Sequence, residues 1–311
     1  AHRIGHVAYL PSRRVMLATL AALIALSLFA PALSNPPANL ATTPGELGMD
    51  WFILFVHPLT DFTSPAIVWA LLFGLTALLF ALPVLPHPRP QPAAVVDAAN
   101  CTGCDRCLAD CPYAAIAMQA HPQRPGLKLA VVDPDLCASC GICAGSCPSS
   151  TPFRRQEVLV TGIDMPQQPV NALREQLEQA LARLAGRTRI VVFSCARGAD
   201  AALLGATDTA VIPLLCAGML PPAFVEYALR GGADGVLLTS CRSGGCDFRL
   251  GERWTGDRLQ GRREPHLRRT VPASRVLLVA TTVHDRSALA DSLASFRSRL
   301  ESKADASDRL P

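Results

Sequence analysis

The 311-residue chain contains no GxGxxG fingerprint, no P-loop and no evident acid, base and nucleophile set, so nucleotide-dependent chemistry and a complete reaction by this polypeptide alone are not expected. Its net charge is only +4, and no patch interleaves basic with aromatic residues, so no nucleic acid partner is indicated. Val15–Leu33 and Ala66–Leu85 lack any charged residue, and both lack histidine. The segment between them carries Glu46, Asp50 and Asp61 but neither Lys nor Arg.

Half of the residues are apolar, and the two uncharged runs are each long enough to cross a hydrocarbon layer of about 30 Å. They predict two transmembrane helices. The first could alternatively be a cleaved signal peptide, since Arg13 and Arg14 precede a run ending near ALSNP; a second run close behind it favours a membrane helix. Arg3, Arg13 and Arg14 precede the first run and Arg89 follows the second, which places both chain ends on the cytoplasmic side. The twelve cysteines fall in short-spaced groups, a pattern of metal or cluster ligation that is best preserved in a reducing compartment, on that same side. Trp51–Val56, WFILFV, is too short to span and is expected at the outer interface or against another subunit.

PANLATTPGELGMDWF, residues 37–52, resembles the loop between the first two helices of the cytochrome b C-terminal domain, also found as subunit IV of split cytochrome b complexes. Pro37, Ala38, Asn39, Thr43, Pro44, Asp50, Trp51 and Phe52 fit the spacing; Met49, Asp50 and Phe52 stand where the family has Pro, Glu and Tyr. The resemblance implies a quinone or quinol site with Asp50 as its proton acceptor, a role that a desolvated carboxylate with a raised pKa can fill. A helix N-cap or solvated loop acid is the ordinary alternative for Asp50. Haem b between membrane helices needs axial histidines, and His57 and His87 lie outside both runs, so any haem belongs to a partner chain.

Leu82–Pro92, LPVLPHPRPQP, predicts an extended connector. Beyond it, Cys101, Cys104, Cys107 and Cys111 follow the C-x2-C-x2-C-x3-C-P spacing, and Cys137, Cys140, Cys143 and Cys147 repeat it, including Pro112 and Pro148. Three closely spaced cysteines wrap one corner of a cubane cluster and the fourth reaches the other cluster. This pairs Cys101, Cys104, Cys107 and Cys147 on one 4Fe-4S cluster, and Cys137, Cys140, Cys143 and Cys111 on the second. The arrangement is that of a bacterial-type dicluster ferredoxin; zinc is the alternative occupant.

After Thr151 the pattern changes. Segments 188–195, 209–216, 235–241 and 274–281 are short, β-branched and nearly continuously apolar, as strands buried on both faces are, with helical stretches at 171–186, 221–235 and 287–303. Cys195, Cys216 and Cys241 mark three strand ends and Cys246 lies in the following loop, where the carboxyl edge of an open parallel sheet gathers its sites. Buried structural thiols are the ordinary alternative. FSCARGAD, LLCAGML, LRGGADGVLL and CRSGGCDF resemble the methyl-viologen-reducing hydrogenase delta-subunit family. That resemblance implies a 2Fe-2S cluster on Cys195, Cys216, Cys241 and Cys246, although Gly198 stands where the family commonly has a second Cys; zinc is again the alternative. Eight arginines between Arg242 and Arg269, interleaved with four acids, suggest either a dock for an acidic redox partner or a solvated helical face. The polar end, 292–311, is expected to fray.

The expected architecture is therefore multi-domain: a membrane segment, 1–92, with spans near 15–33 and 66–85 and an outer loop 34–65; an α+β dicluster ferredoxin domain, 93–152; and a C-terminal α/β parallel-sheet domain, 153–311. Its expected role is that of an iron–sulfur electron-transfer subunit on the cytoplasmic face of a prokaryotic inner membrane. There it would link the quinone pool to a cytoplasmic redox partner beside a haem-bearing cytochrome b chain and a Rieske-type protein. The alternatives are an adaptor for a hydrogenase, heterodisulfide reductase or other cytoplasmic dehydrogenase, and a metal-dependent sensor or assembly protein.

Overall fold

The computed structural model describes residues 13–29, 41, 59, 62–82 and 92–307. The chain divides into two units, 11–90 and one containing 91–311. In the first, helix α1 covers Arg13–Phe29 and helix α2 covers Pro65–Ala81, 17 residues each. At 1.5 Å per residue each is about 25 Å long, short of a hydrocarbon layer of about 30 Å. Among the described residues no helix is long and apolar enough to cross a membrane.

This corrects the expectation of two transmembrane helices at 15–33 and 66–85, and with it the two-span inner-membrane location and the lipid partner. Proline explains the shortfall. Pro31 and Pro83 each stand two residues beyond a helix end, where a ring without an N–H, and the restriction it places on the residue before it, oppose continuation. Asp50, Trp51–Val56, His57 and His87 lie outside the described residues.

Within 91–311 the cysteine repeats occupy a small α+β half. Strand β1, Val95–Val96, is paired antiparallel with β4, Ile163–Asp164, so the strand that closes this half comes from beyond the second repeat. Strands β2, Ile116–Ala120, and β3, Lys128–Val132, form an antiparallel hairpin between the repeats. Each repeat ends in one short helix, α3 at Arg106–Ala109 and α4 at Ile142–Ser146.

The remainder is a parallel α/β layer. Helix α5, Val170–Arg183, precedes strand β5, Ile190–Cys195; then come β6, Thr209–Leu214, helix α6, Ala223–Arg230, strand β7, Gly235–Cys241, helix α7, Gly251–Leu259, strand β8, Val276–Thr281, and helix α8, Arg286–Ser307. The strand order is β6-β5-β7-β8, and all three pairings are parallel. Every residue of β5 and β7 is buried, which is why these strands read as continuous apolar runs. One face packs Leu173 and Leu177 of α5 and Phe224 and Val225 of α6 against Val191, Phe193, Val236 and Leu238. The other packs Leu289, Leu293, Phe296 and Leu300 of α8 against Ile190, Val192 and Leu237. That apolar spacing holds α8 to the sheet as far as Leu300, and the helix runs on to Ser307.

Candidate metal centres

The two cysteine repeats adopt the same backbone. Gly103 and Ser139 occupy the position before the second cysteine of each repeat and have φ of 65° and 58°; Asp105 and Gly141 occupy the position after it and have φ of 60° and 77°. Left-handed conformations cost a non-glycine residue about 1–3 kcal/mol, so Asp105 and Ser139 are held there by their surroundings. Such alternation turns successive N–H groups into one concavity, a cradle for an anionic inorganic core. Gly103 also makes room for the hairpin: a Cβ there would lie 2.5 Å from the Lys128 carbonyl oxygen.

The sulfurs are grouped crosswise. One cavity is lined by Cys137, Cys140 and Cys143 from the second repeat and Cys111 from the first, with Ile116, Val132 and Met165 completing its wall. Burial, and then the proximity of Cys147, Cys104 and Cys101, push the Cys107 thiol up to about 12, which places those four in one electrostatic neighbourhood. Burial likewise pushes Cys140 up to about 12, with Cys111 and Cys137 contributing, and Cys143 well above the ordinary thiol value. Unligated, these groups are held as neutral thiols, and loading iron must displace their protons. The Ala115 N–H donates to the Cys111 sulfur at 3.3 Å, and the Ser149 hydroxyl lies 3.0 Å from the Cys147 sulfur, contacts of the kind that tune a cluster. Cys104 alone among the eight is exposed.

The C-terminal four also converge. Cys195 ends β5, Cys241 ends β7, Cys216 lies two residues past β6, and Cys246 sits in the loop before α7; all four are buried. The Cys195 and Cys241 sulfurs are 4.0 Å apart. Hydrogen bonds from the Cys216 and Cys241 thiols pull Cys195 and Cys246 well below the ordinary thiol range, and push the two donors up in turn. The four sulfurs thus form one ring of mutually interacting thiols. The Cys195 N–H is anchored by Thr239 Oγ1 at 2.9 Å, fixing the ring to the sheet.

Two glycines shape this pocket. A Cβ at Gly198 would lie 2.6 Å from Thr281 Oγ1, so a side chain at this departure from the family pattern would displace Thr281. A Cβ at Gly251 would fall 2.3 Å from the Cys216 sulfur and 3.4 Å from that of Cys246. Gly251→Ala is therefore expected to displace Cys216, cost about 1–3 kcal/mol of overpacking, and lower the metal content of the C-terminal site, measured as iron and sulfide per chain beside an unchanged far-ultraviolet spectrum.

Neither cysteine spacing nor strand pattern indicated how the halves are joined. Among the described residues no group of three or more His, Cys, Asp or Glu closes on a single metal ion. In the C-terminal ring, the donor chemistry, four thiols isolated from water, fits either a 2Fe-2S core or zinc. Two of the eight arginines, Arg258 and Arg263, form a clamp, while Arg253 and Arg262 pair locally with Asp257 as a solvated helical face does. Arg258 is buried with its Nη2 2.5 Å from Asp110 Oδ2, and its Nη1 donates to the Gly218 carbonyl at 2.8 Å. Arg263 Nε donates to Asp110 Oδ1 at 2.9 Å while its guanidinium stacks 4.1 Å over Trp254. The unpaired-looking composition of 242–269 hid this, because the partner acid lies some 150 residues earlier, beside Cys111.

Comparison with known proteins gives two family matches. Residues 100–151 match the 4Fe-4S dicluster domain, and residues 190–302 match the family described as methyl-viologen-reducing hydrogenase, delta subunit. A curated relative, an iron-sulfur subunit of the vhc F420-non-reducing hydrogenase from Methanococcus voltae, is 34% identical over 71 residues, covering 20% of this chain and 49% of the relative. The chain thus spans about half the length of that relative. The two family matches leave residues 37–52 uncovered and lend no support to a quinone site, a haem-bearing cytochrome b partner or a Rieske-type partner. Residues 100–151 thus form a 4Fe-4S dicluster domain, and residues 190–302 form a domain of the kind described as methyl-viologen-reducing hydrogenase, delta subunit.

Proposed function

We propose that this chain is an electron-transfer adaptor that connects a hydrogenase-type or heterodisulfide-reductase-type catalytic subunit to a second redox protein. The observation that carries the reading is the gathering of three four-cysteine sets, Cys101/Cys104/Cys107/Cys147, Cys111/Cys137/Cys140/Cys143 and Cys195/Cys216/Cys241/Cys246, within the 91–311 unit. The first two sets would hold 4Fe-4S clusters and the third a 2Fe-2S cluster. When bound, these groups supply one-electron transfer without proton or group transfer.

The polypeptide contributes insulation and alignment. Burial of eight of the twelve cysteines keeps water from the sulfurs. The left-handed turns at Gly103, Asp105, Ser139 and Gly141 aim backbone N–H groups inward, and Thr239 fixes the backbone of Cys195. The absence of a nucleotide-binding loop from the sequence supports a relay over a dehydrogenase complete in itself. The family matches favour this adaptor over a quinol-linked cytochrome b complex.

Metal and acid-labile sulfide analysis of anaerobically purified chain tests the reading. About ten iron atoms per chain with matching sulfide are expected, together with two cubane signals and one 2Fe-2S signal in electron paramagnetic resonance after reduction. Zinc without sulfide in the C-terminal ring would remove the third centre, and zinc throughout would favour a sensor or assembly protein.

A further inference from the structure

The order of the three sites along the chain's interior follows from how the two halves of the 91–311 unit meet. Cys140 shares one buried cluster with Ile142, Cys216 and Trp254, and Tyr113 and Phe248 pack against it. The two backbones approach closely at glycines: a Cβ on Gly145 of α4 would lie 2.3 Å from the Gly218 carbonyl oxygen, and one on Gly218 would lie 3.0 Å from Ile142 Cγ1.

The segment that carries Cys111 is fastened to the same place. Asp110 is held by Arg258 and Arg263; the Pro112 carbonyl accepts from Arg249 Nη1 at 2.7 Å; the Tyr113 hydroxyl donates to the Asp247 carbonyl at 3.3 Å. The Arg249 guanidinium also lies 4.8 Å over the Tyr113 ring. Asp247 and Arg249 immediately follow Cys246.

Cys101 and Cys107 instead pack with Cys143, Ile116, Ala130 and Met219, in a cluster that reaches the C-terminal half through Met219 and Leu215 but contains none of its cysteines, and their neighbour Cys104 is exposed. We infer that the C-terminal tetrathiol site communicates with the ferredoxin half through the Cys111/Cys137/Cys140/Cys143 site. The Cys101/Cys104/Cys107/Cys147 site is then the outer port, where an external one-electron protein carrier delivers or collects charge. With clusters held at these cysteines, each passage would oxidise one site as it reduced the next by a single electron, with no bond to the protein formed or broken. The inference rests on the cluster assignments proposed above.

Magnetic coupling tests the order without reference to catalysis. In the fully reduced, full-length chain the C-terminal signal is expected to be broadened by its neighbour. Cys140→Ser should alter or abolish that broadening, and Cys104→Ser should leave it intact, with iron content measured on each variant. Broadening that follows Cys104→Ser, or neither substitution, overturns the inference. Should either ligand variant fail to hold iron, the wild-type chain decides: ferricyanide should strip the first iron from the exposed Cys104 site, and after re-reduction the C-terminal broadening should persist. Its disappearance with that first iron overturns the order. A C-terminal site with no paramagnetic signal and no iron overturns instead the assignment on which the order rests.

Discussion

Replacing Arg258 with Met is expected to destabilise the 91–311 unit by about 3–5 kcal/mol, the usual cost of removing one partner from a buried ion pair. Arg258 is 1% exposed and Asp110 3% exposed, so water cannot take over for the lost guanidinium. Burial lowers the Arg258 pKa while Asp110 opposes the shift, the signature of a charge kept in place by its partner. The substitution strips Asp110 of one of two arginines and the Gly218 carbonyl of its donor. Urea unfolding of the iron-loaded chain measures the cost. The double variant Asp110→Leu/Arg258→Met should recover part of it, because it removes the buried carboxylate together with its buried partner, while Arg263, which is partly exposed, turns to water and the Gly218 carbonyl stays without its donor. If the single variant unfolds like wild type, the clamp contributes nothing to stability.

Removing iron should have the second large effect, and it should be confined to half of the unit. The ferredoxin half consists of two two-stranded sheets and two helices of four and five residues. A two-stranded ribbon is marginal by itself in water. Three of the buried residues in its core cluster are themselves cysteines, Cys101, Cys107 and Cys143, so much of the packing is organised around the inorganic groups. Binding free energy of structural metal, about 10 kcal/mol or more, is then folding free energy for this half. Amide hydrogen exchange after anaerobic chelation should show protection at 95–96, 116–120 and 128–132 falling by at least about 100-fold, as local opening becomes easy. Strands β5 and β7 should keep theirs, because separate apolar clusters cover both faces of that sheet. Equal loss in both halves would place the C-terminal ring, too, at the centre of its domain's stability.

The parts that were legible in the sequence are those governed by local spacing. C-x2-C-x2-C-x3-C-P occurs twice, and the structure repeats the same left-handed backbone twice, because a tight turn between cysteines is a property of a few consecutive residues. Strands β5, β6, β7 and β8 fall within the apolar runs, but only the central pair, β5 and β7, is buried at every position; the edge strands β6 and β8 are partly covered. Hydropathy alone misled at the start of the chain. The uncharged runs at 15–33 and 66–85 are longer than their helices, which end before Pro31 and Pro83. Counting charges ignored the backbone restriction that proline imposes.

The arginine-rich stretch shows the opposite limit. Arg258 and Arg263 read as surface charge, yet α7 turns Trp254, Thr255 and Arg258 inward. Nothing near them in sequence could have indicated a buried acid, since Asp110 belongs to the first cysteine repeat.

By itself, then, the sequence determined the repeated cysteine spacing, the left-handed turn around Cys104 and Cys140, and the apolar strands at or just beyond whose ends three of the last four cysteines lie. Only the tertiary structure decided which sets are neighbours, through the glycine contact between α4 and the turn after Cys216 and through the Asp110 clamp. The physical reason is range. A turn or a strand is fixed by residues a few positions apart, whereas the packing of Cys140 on Cys216 depends on surfaces that exist only once both halves have folded.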